Sequence, residues 1–184
     1  MQQRVASLLR HHSDLHSFME AVNPDVQQAY GRDEQRAVLC DAPTMTVIEQ
    51  AYGENAAAMW LTAQLTDLAV FAGVKGVLND RQYMQLATMI VTEFGYLKAT
   101  ELMLFFYRLK AGHYGTFYGN IDPMMILDNI RRKFLPERAT IIKEAESRQH
   151  DAERLQRRTT ALKPDEIKRL KERIQSITEN FKQS

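Results

Sequence analysis

The sequence predicts an all-α fold, and the prediction rests on composition and on the spacing of apolar residues. Only eight Gly and five Pro occur in 184 residues, too few for the many turns of a β-sandwich or barrel of this length. The stretches between them are rich in Ala, Leu, Met, Gln, Glu, Lys and Arg, which lose little rotamer freedom in a helix. Hydrophobic residues make up 45% and charged residues 26%, which favours an ordinary globular protein over a disordered or membrane protein.

Residues 1–43 are predicted to form an N-terminal helix followed by a linker. Apolar or semi-apolar residues recur at steps of three and four from Val5 to Val22, which predicts a single helix that ends near Asn23. The following stretch, to about Thr44, contains glycine, proline and a charged cluster. We therefore interpret it as a linker or variable arm, with a short helix as one option within it.

Residues 44–136 are predicted to form the helical core domain. Thr46 and Glu49 have the spacing of a capping box, so a short helix should begin at Thr46 and end at Gly53. Four longer helices are expected at residues 55–72, 79–94, 98–111 and 122–136.

Two of these helices are apolar enough to form the centre of the core. The helix at 55–72 is apolar nearly all round, which requires neighbours on several faces. Residues 102–107 would also suit a buried strand, but the distance from Thr100 to Gly112 is more typical of a helix. The last core helix should stop at Pro136, because proline interrupts helix interiors.

Residues 137–184 are predicted to form a C-terminal helical extension. A polar helix to about residue 158 is followed by a break and a final helix with apolar residues at the a/d spacing of a coiled coil. The extension should fold back on itself, dock on the core or pair with another subunit. The candidate oligomerisation residues are Ile167, Leu170, Ile174, Ile177 and Phe181.

Charge is distributed unevenly although the net charge is only +1. Residues 1–100 carry a net charge of −4, whereas residues 101–184 contain 17 basic and 12 acidic residues and carry +5. This asymmetry favours a C-terminal half that approaches a polyanion, with an ordinary solvated helix face as the alternative.

The most distinctive local sequence is the stretch from Lys110 to Pro123, where three glycines and three aromatic residues lie between two predicted helices. Aromatic rings beside cations suit single-stranded nucleic acid or a protein partner. The alternative is that the aromatic residues fold inward and close the top of the bundle. The candidate binding residues are Arg108, Lys110, His113, Tyr114, Phe117, Tyr118, Arg131, Arg132 and Lys133.

No complete catalytic or cofactor signature is present, so we expect a protein that is not an enzyme and has no cofactor. The glycine-rich stretch lacks the order of a P-loop. His12 and His16 could share a helix face as metal ligands, with Asp14 as a third. A packed or solvated role is favoured over a metal hydrolase, because no Glu follows in the order of a zinc protease and Asp14 points elsewhere on the predicted helix. Cys40 lacks a second cysteine and is interpreted as a small buried or half-buried side chain.

The N-terminus has no apolar core of signal-peptide length, and no apolar run approaches 18 residues. We therefore expect a cytoplasmic protein with no membrane partner.

Several short motifs resemble an uncharacterised helical protein family that is associated with Bacteroidales phages and mobile elements. They are Tyr52-Gly53, residues 60–65, residues 96–106, residues 114–119 and Asp122-Pro123. The resemblance covers about residues 43–142 and implies replication or another mobile-element function, without assigning a role to any residue.

These observations lead to one functional expectation and one alternative. The first is a non-enzymatic DNA-replication accessory protein, such as a helicase-loader-like adaptor, that binds a partner protein and single-stranded DNA. The alternative is a structural or assembly protein that forms homo-oligomers through its C-terminal helices.

Overall fold

The computed structural model describes residues 1–73, 78–115, 122–161, 165–166, 168–169 and 171–175. Within these ranges the chain is helical apart from short connections, so the all-α prediction is confirmed. A single antiparallel bridge, between Thr44 and Lys98, is the only β-type pairing in the described part of the chain.

Ten α-helices, a 3₁₀-helix and a π-helix are formed by the described residues. The α-helices are α1 (Gln2–His11), α2 (Leu15–Ala21), α3 (Gln27–Arg32), α4 (Glu34–Leu39), α5 (Met45–Tyr52), α6 (Ala56–Phe71), α7 (Asp80–Phe94), α8 (Ala99–Lys110), α9 (Pro123–Asn129) and α10 (Leu135–Ala161).

The chain divides into two compact units, Met1–Ile142 and Lys143–Ser184. The first unit contains residues 1–43 together with most of the hydrophobic core. In the second unit, the described side chains of residues 146–157 are exposed.

The prediction of one helix from Val5 to Val22 is wrong, because α1 and α2 are separate helices. Asp14 has an extended backbone, with φ −145° and ψ 167°, and its carboxylate accepts a hydrogen bond from the Ser17 backbone N–H at 2.9 Å. An aspartate in this position supplies an N-cap, which favours the start of a new helix over continuation of the first.

The segment interpreted as a linker forms a 3₁₀-helix (Pro24–Val26) followed by α3 and α4. Asn23 and Asp33 cap these short helices by accepting backbone N–H bonds. Ala37 and Val38 are buried in the core. Within the charged cluster that suggested a loop, Asp33 is a helix cap, and the short helices on either side of it are held by tertiary packing.

The apolar helix α6 is central, as the sequence predicts. It packs against α5, α7 and α8, and Trp60 and Leu61 are completely buried. The Trp60 indole N–H donates to the Val22 carbonyl at 2.8 Å, which satisfies the one polar atom of the ring and ties α6 to the N-terminal segment.

Residues 102–107, for which a strand was the competing prediction, lie within α8. Every residue from Ala99 to Phe106 is buried. Phe105 packs against Phe106, Tyr114 and Phe134 with ring centroids 5.4–5.6 Å apart. A helix buried on all sides explains why this sequence lacks an alternating polar face.

The capping residue of α5 is Thr44, so the prediction of Thr46 in that role is wrong. The Thr44 hydroxyl accepts from the Val47 N–H at 3.3 Å. Thr46 instead donates its hydroxyl to the Gly95 carbonyl at 3.0 Å. The bridge to Lys98 fixes the backbone at Thr44, and this distant pairing decides which threonine caps the helix.

The prediction that a helix stops at Pro136 is also wrong, because α10 begins at Leu135 and continues through it. A π-helix (Ile130–Phe134) precedes α10, and the Leu135 N–H bonds to the Ile130 carbonyl five residues back. The wider turn relieves the usual clash between a proline ring and the carbonyl four residues earlier.

Gly31 lies where α3 crosses α8, and replacing it with alanine should destabilise the protein. A Cβ at Gly31 would overlap the ring of Tyr107, so one of the two helices would have to move. We expect a loss of about 1–3 kcal/mol in urea unfolding. The double variant G31A/Y107A should recover part of this loss, whereas an unchanged G31A protein would contradict the close packing.

Candidate functional site

A buried ion-pair network surrounds Arg108, one of the candidate binding residues. Arg108 is 6% exposed and makes bidentate contact with Glu34, through Nε at 3.1 Å and Nη2 at 2.6 Å. Its Nη1 contacts Glu137 at 2.5 Å and lies 3.5 Å from the Tyr114 hydroxyl. The guanidinium of α8 therefore joins α4, the turn after α8, and α10.

Tyr114 is folded inward and completes this network. Its ring is 4% exposed and stacks on Phe105, and its hydroxyl donates to Glu137 at 2.7 Å. Burial raises the pKa of Tyr114 above its ordinary value of 10.0, and the Glu137 carboxylate raises it further. The phenol is a protonated structural donor at neutral pH.

A second buried carboxylate on α8, Glu101, has its own partners. It is fully buried, accepts from the Lys98 backbone N–H at 2.9 Å, and pairs with Arg138 at 2.7 Å. The Lys98 ammonium donates to the Val38 and Cys40 carbonyls at 2.8 and 2.7 Å, where it caps the C-terminal end of α4. These contacts hold α4, α8 and the start of α10 together.

The remaining described cations of the candidate set also bond within the protein. Lys110 pairs with Asp67, and its ammonium lies 5.5 Å from the centroid of the Phe71 ring. Lys133 donates to the Tyr114 carbonyl at 3.0 Å.

The other two arginines of the set are paired on the surface. Arg131 contacts both oxygens of Glu93, at 2.6 and 2.8 Å. Arg132 pairs with Asp128 one turn earlier at 2.6 Å. His113 is exposed, whereas Phe117 and Tyr118 lie outside the described residues.

Of the candidate oligomerisation residues, Ile174 is described, and it is 61% exposed. Ile167, Leu170, Ile177 and Phe181 lie outside the part whose side chains are described.

Sequence reasoning missed a group of exposed basic residues in the second unit. Lys143, His150, Arg154 and Arg157 lie on α10 at intervals of seven, four and three residues. This spacing places them on one side of a helix. The sequence shows this spacing, but it does not show that the side chains are exposed to solvent.

The two histidines tested as a metal pair do not share a helix. His12 follows the end of α1, and His16 lies in α2, on the other side of the Asp14 cap. Among the described residues no group of three His, Cys, Asp or Glu side chains could hold a metal ion. Cys40 is half-buried, with its sulfur 3.5 Å from the Thr100 hydroxyl.

A half-open cavity of about 450 Å³ lies beside α1, between this helix and the segment that leads into α5. Arg4, Ser7, His11 and Asp41 contribute polar groups, and Leu8 contributes apolar surface. The volume is typical of small-molecule pockets, but the mixed lining does not define one ligand chemistry.

No helix in the described ranges is long and apolar enough to cross a membrane.

The fold and the site thus define an all-α protein whose buried charges connect its helices. The chain belongs to a family of unknown function, DUF6633, whose model matches residues 78–175. The match extends from α7 into the second unit, and it confirms the prediction of an uncharacterised family. No curated protein and no solved structure matches the chain.

Proposed function

We propose that the protein is a non-enzymatic accessory factor of DNA replication in a phage or mobile element of Bacteroidales. In this role it binds a partner protein and single-stranded DNA in the cytoplasm, for example as a helicase-loader-like adaptor. The observation that carries the DNA half of the proposal is the accumulation of positive charge in the second unit. Residues 143–184 contain 11 basic and eight acidic residues. Polyanion binding is the simplest use of such a segment.

Contact with a partner protein is supported by apolar side chains at the end of α6. Val70 is 76% exposed and Phe71 is 62% exposed, although they are the last two residues of a helix that is largely buried. Large aromatic and aliphatic side chains in such positions are typical anchors of protein interfaces. The Lys110 ammonium near the Phe71 ring adds a cation to this surface.

The first test is light scattering of the purified protein with and without a fluorescent single-stranded oligonucleotide, at 50 mM and 200 mM salt. The proposal predicts a complex at the lower concentration that dissociates as salt rises, because phosphate contacts release counterions. Absence of binding at 50 mM would contradict the DNA half of the proposal.

The alternative is an assembly protein that oligomerises through its C-terminal helices. It is favoured by the length of α10, which has 27 residues and a mostly exposed, polar second half. A helix of this kind gains little stability from its own burial, whereas a second copy of the chain would cover it. In the same experiment this alternative predicts a stable oligomer that is indifferent to DNA, and dissociation when Leu170 and Ile174 are replaced by Asp.

A further inference from the structure

Three exposed cations of α10 and one exposed histidine form a narrow stripe. At 3.6 residues per turn, Lys143, His150, Arg154 and Arg157 fall within about 60° of the helix circumference and span about 21 Å along its axis. All four side chains are exposed. We use the name basic stripe for these four residues.

The basic residues of the stripe differ from Arg108, Arg131 and Arg132 by having no ion-pair partner within the described ranges. Arg131 and Arg132 are neutralised by Glu93 and Asp128, and Arg108 is buried between two carboxylates. By contrast, the side chains of Lys143, Arg154 and Arg157 are exposed. Within the described part of the chain, an incoming anion would not have to displace a carboxylate from them.

Acidic residues border the stripe on both sides. By the same helical geometry, Glu144 and Asp151 lie about 60–80° beyond one edge of the stripe, and Glu146 and Glu153 lie about 20–40° beyond the other. These carboxylates restrict the positive potential to a line about one side chain wide. A line of charge suits one phosphate backbone better than the broad surface of a duplex.

We propose that the basic stripe is the surface that binds the phosphate backbone of single-stranded DNA. This inference rests on the proposed function and makes it specific. It assigns DNA contact to α10 in place of the glycine-rich sequence 110–123 and residues 131–133, whose described lysines and arginines already bond within the protein. The stripe would contact only the charged phosphate groups and not the bases, so binding should be independent of base sequence.

The test compares two triple variants with the same change in charge, K143Q/R154Q/R157Q and R131Q/R132Q/K133Q. Glutamine has a helix propensity close to that of lysine and arginine, so both variants should keep their helices. Fluorescence anisotropy of a labelled single-stranded oligonucleotide, titrated from 50 to 200 mM salt, gives the affinity and its salt dependence. Circular dichroism and thermal unfolding of each variant verify the fold.

The stripe variant should bind on the order of 10- to 100-fold more weakly at 50 mM salt. The slope of log K against log salt should fall by about 2, since each single-strand phosphate contact contributes about 0.7. The 131–133 variant should bind within about threefold of the unaltered protein.

The outcomes separate the inference from the proposed function. If the unaltered protein binds DNA but the stripe variant binds equally well, or if both variants lose affinity to the same extent, the basic stripe is not the site and the function stands. Tighter binding to a duplex of the same sequence would overturn the assignment to single strands. Failure of the unaltered protein to bind either form would contradict the proposed function itself.

Discussion

Replacing Arg108 with methionine should lower the free energy of unfolding by about 3 kcal/mol. The arginine is 6% exposed and holds Glu34, Glu137 and the Tyr114 hydroxyl. Methionine would leave two carboxylates facing each other without a cation, and removal of one member of a buried ion pair typically costs about 3–5 kcal/mol. The lower end is expected here because the side chains of Glu34 and Glu137 remain 41% and 44% exposed.

Urea unfolding monitored by circular dichroism measures this loss, with R132M as the matched control. The Arg132 side chain is 76% exposed and pairs with Asp128 within one helix, so its replacement should change stability by about 0.5 kcal/mol or less. Equal effects of R108M and R132M would mean that the buried network contributes no more than a surface pair. The variant R108K should give an intermediate loss, because an ammonium keeps the charge but not the bidentate geometry.

Replacing Phe105 with alanine should be at least as damaging, with a loss of about 3–5 kcal/mol. The ring is completely buried and contacts the rings of Phe106, Tyr114 and Phe134. Alanine would remove these contacts and leave a cavity that rigid neighbours fill only in part. Since Phe105 supports Tyr114, the loss should extend to the turn after α8.

The same substitution at Phe71 provides the control for Phe105. Phe71 is 62% exposed, so F71A should cost about 1 kcal/mol or less even with the loss of its Lys110 contact. Hydrogen exchange of the amides at 111–115 would show whether the turn loosens in F105A alone. A small effect of F105A would contradict the placement of this ring in the core.

The main helices follow from local patterns in the sequence. In α7, buried Tyr83, Leu86, Ala87 and Ile90 repeat with the helical period, and the capping box of Asn79 and Gln82 marks the start. These signals lie within one helix and need no knowledge of its neighbours. For α6 and α8 the near absence of polar residues predicts central positions, and the structure places both helices there.

The first and last residues of helices were harder to predict where the local sequence is compatible with two different boundaries. Thr44 and Thr46 are both suitable N-caps, and the pairing of Thr44 with Lys98, far along the chain, selects between them. Pro136 normally ends a helix, but the π-helix before it allows α10 to continue. Each choice depends on a geometry that the residue type alone does not specify.

The candidate site also combines features that the sequence predicts with features that depend on tertiary packing. Sequence alone identified Arg108, Tyr114 and Lys133 as a group of cations and aromatic residues near one turn, and it left open whether the rings face outward or inward. The partner of Arg108 is Glu34, which lies 74 residues earlier, and the pair forms only when α4 packs beside α8. The same holds for Lys110 with Asp67, and for Arg131 with Glu93.

The order of residues is enough to predict an all-α protein, its central helices and the excess of positive charge toward the C-terminus. Which cations are neutralised and which remain exposed on α10 depends on how the helices pack. The two kinds of feature arise from interactions of different range along the chain. Helix formation and amphipathic patterning act over a few residues, whereas an ion pair forms wherever folding brings two charges within a few ångströms, however far apart they are in sequence.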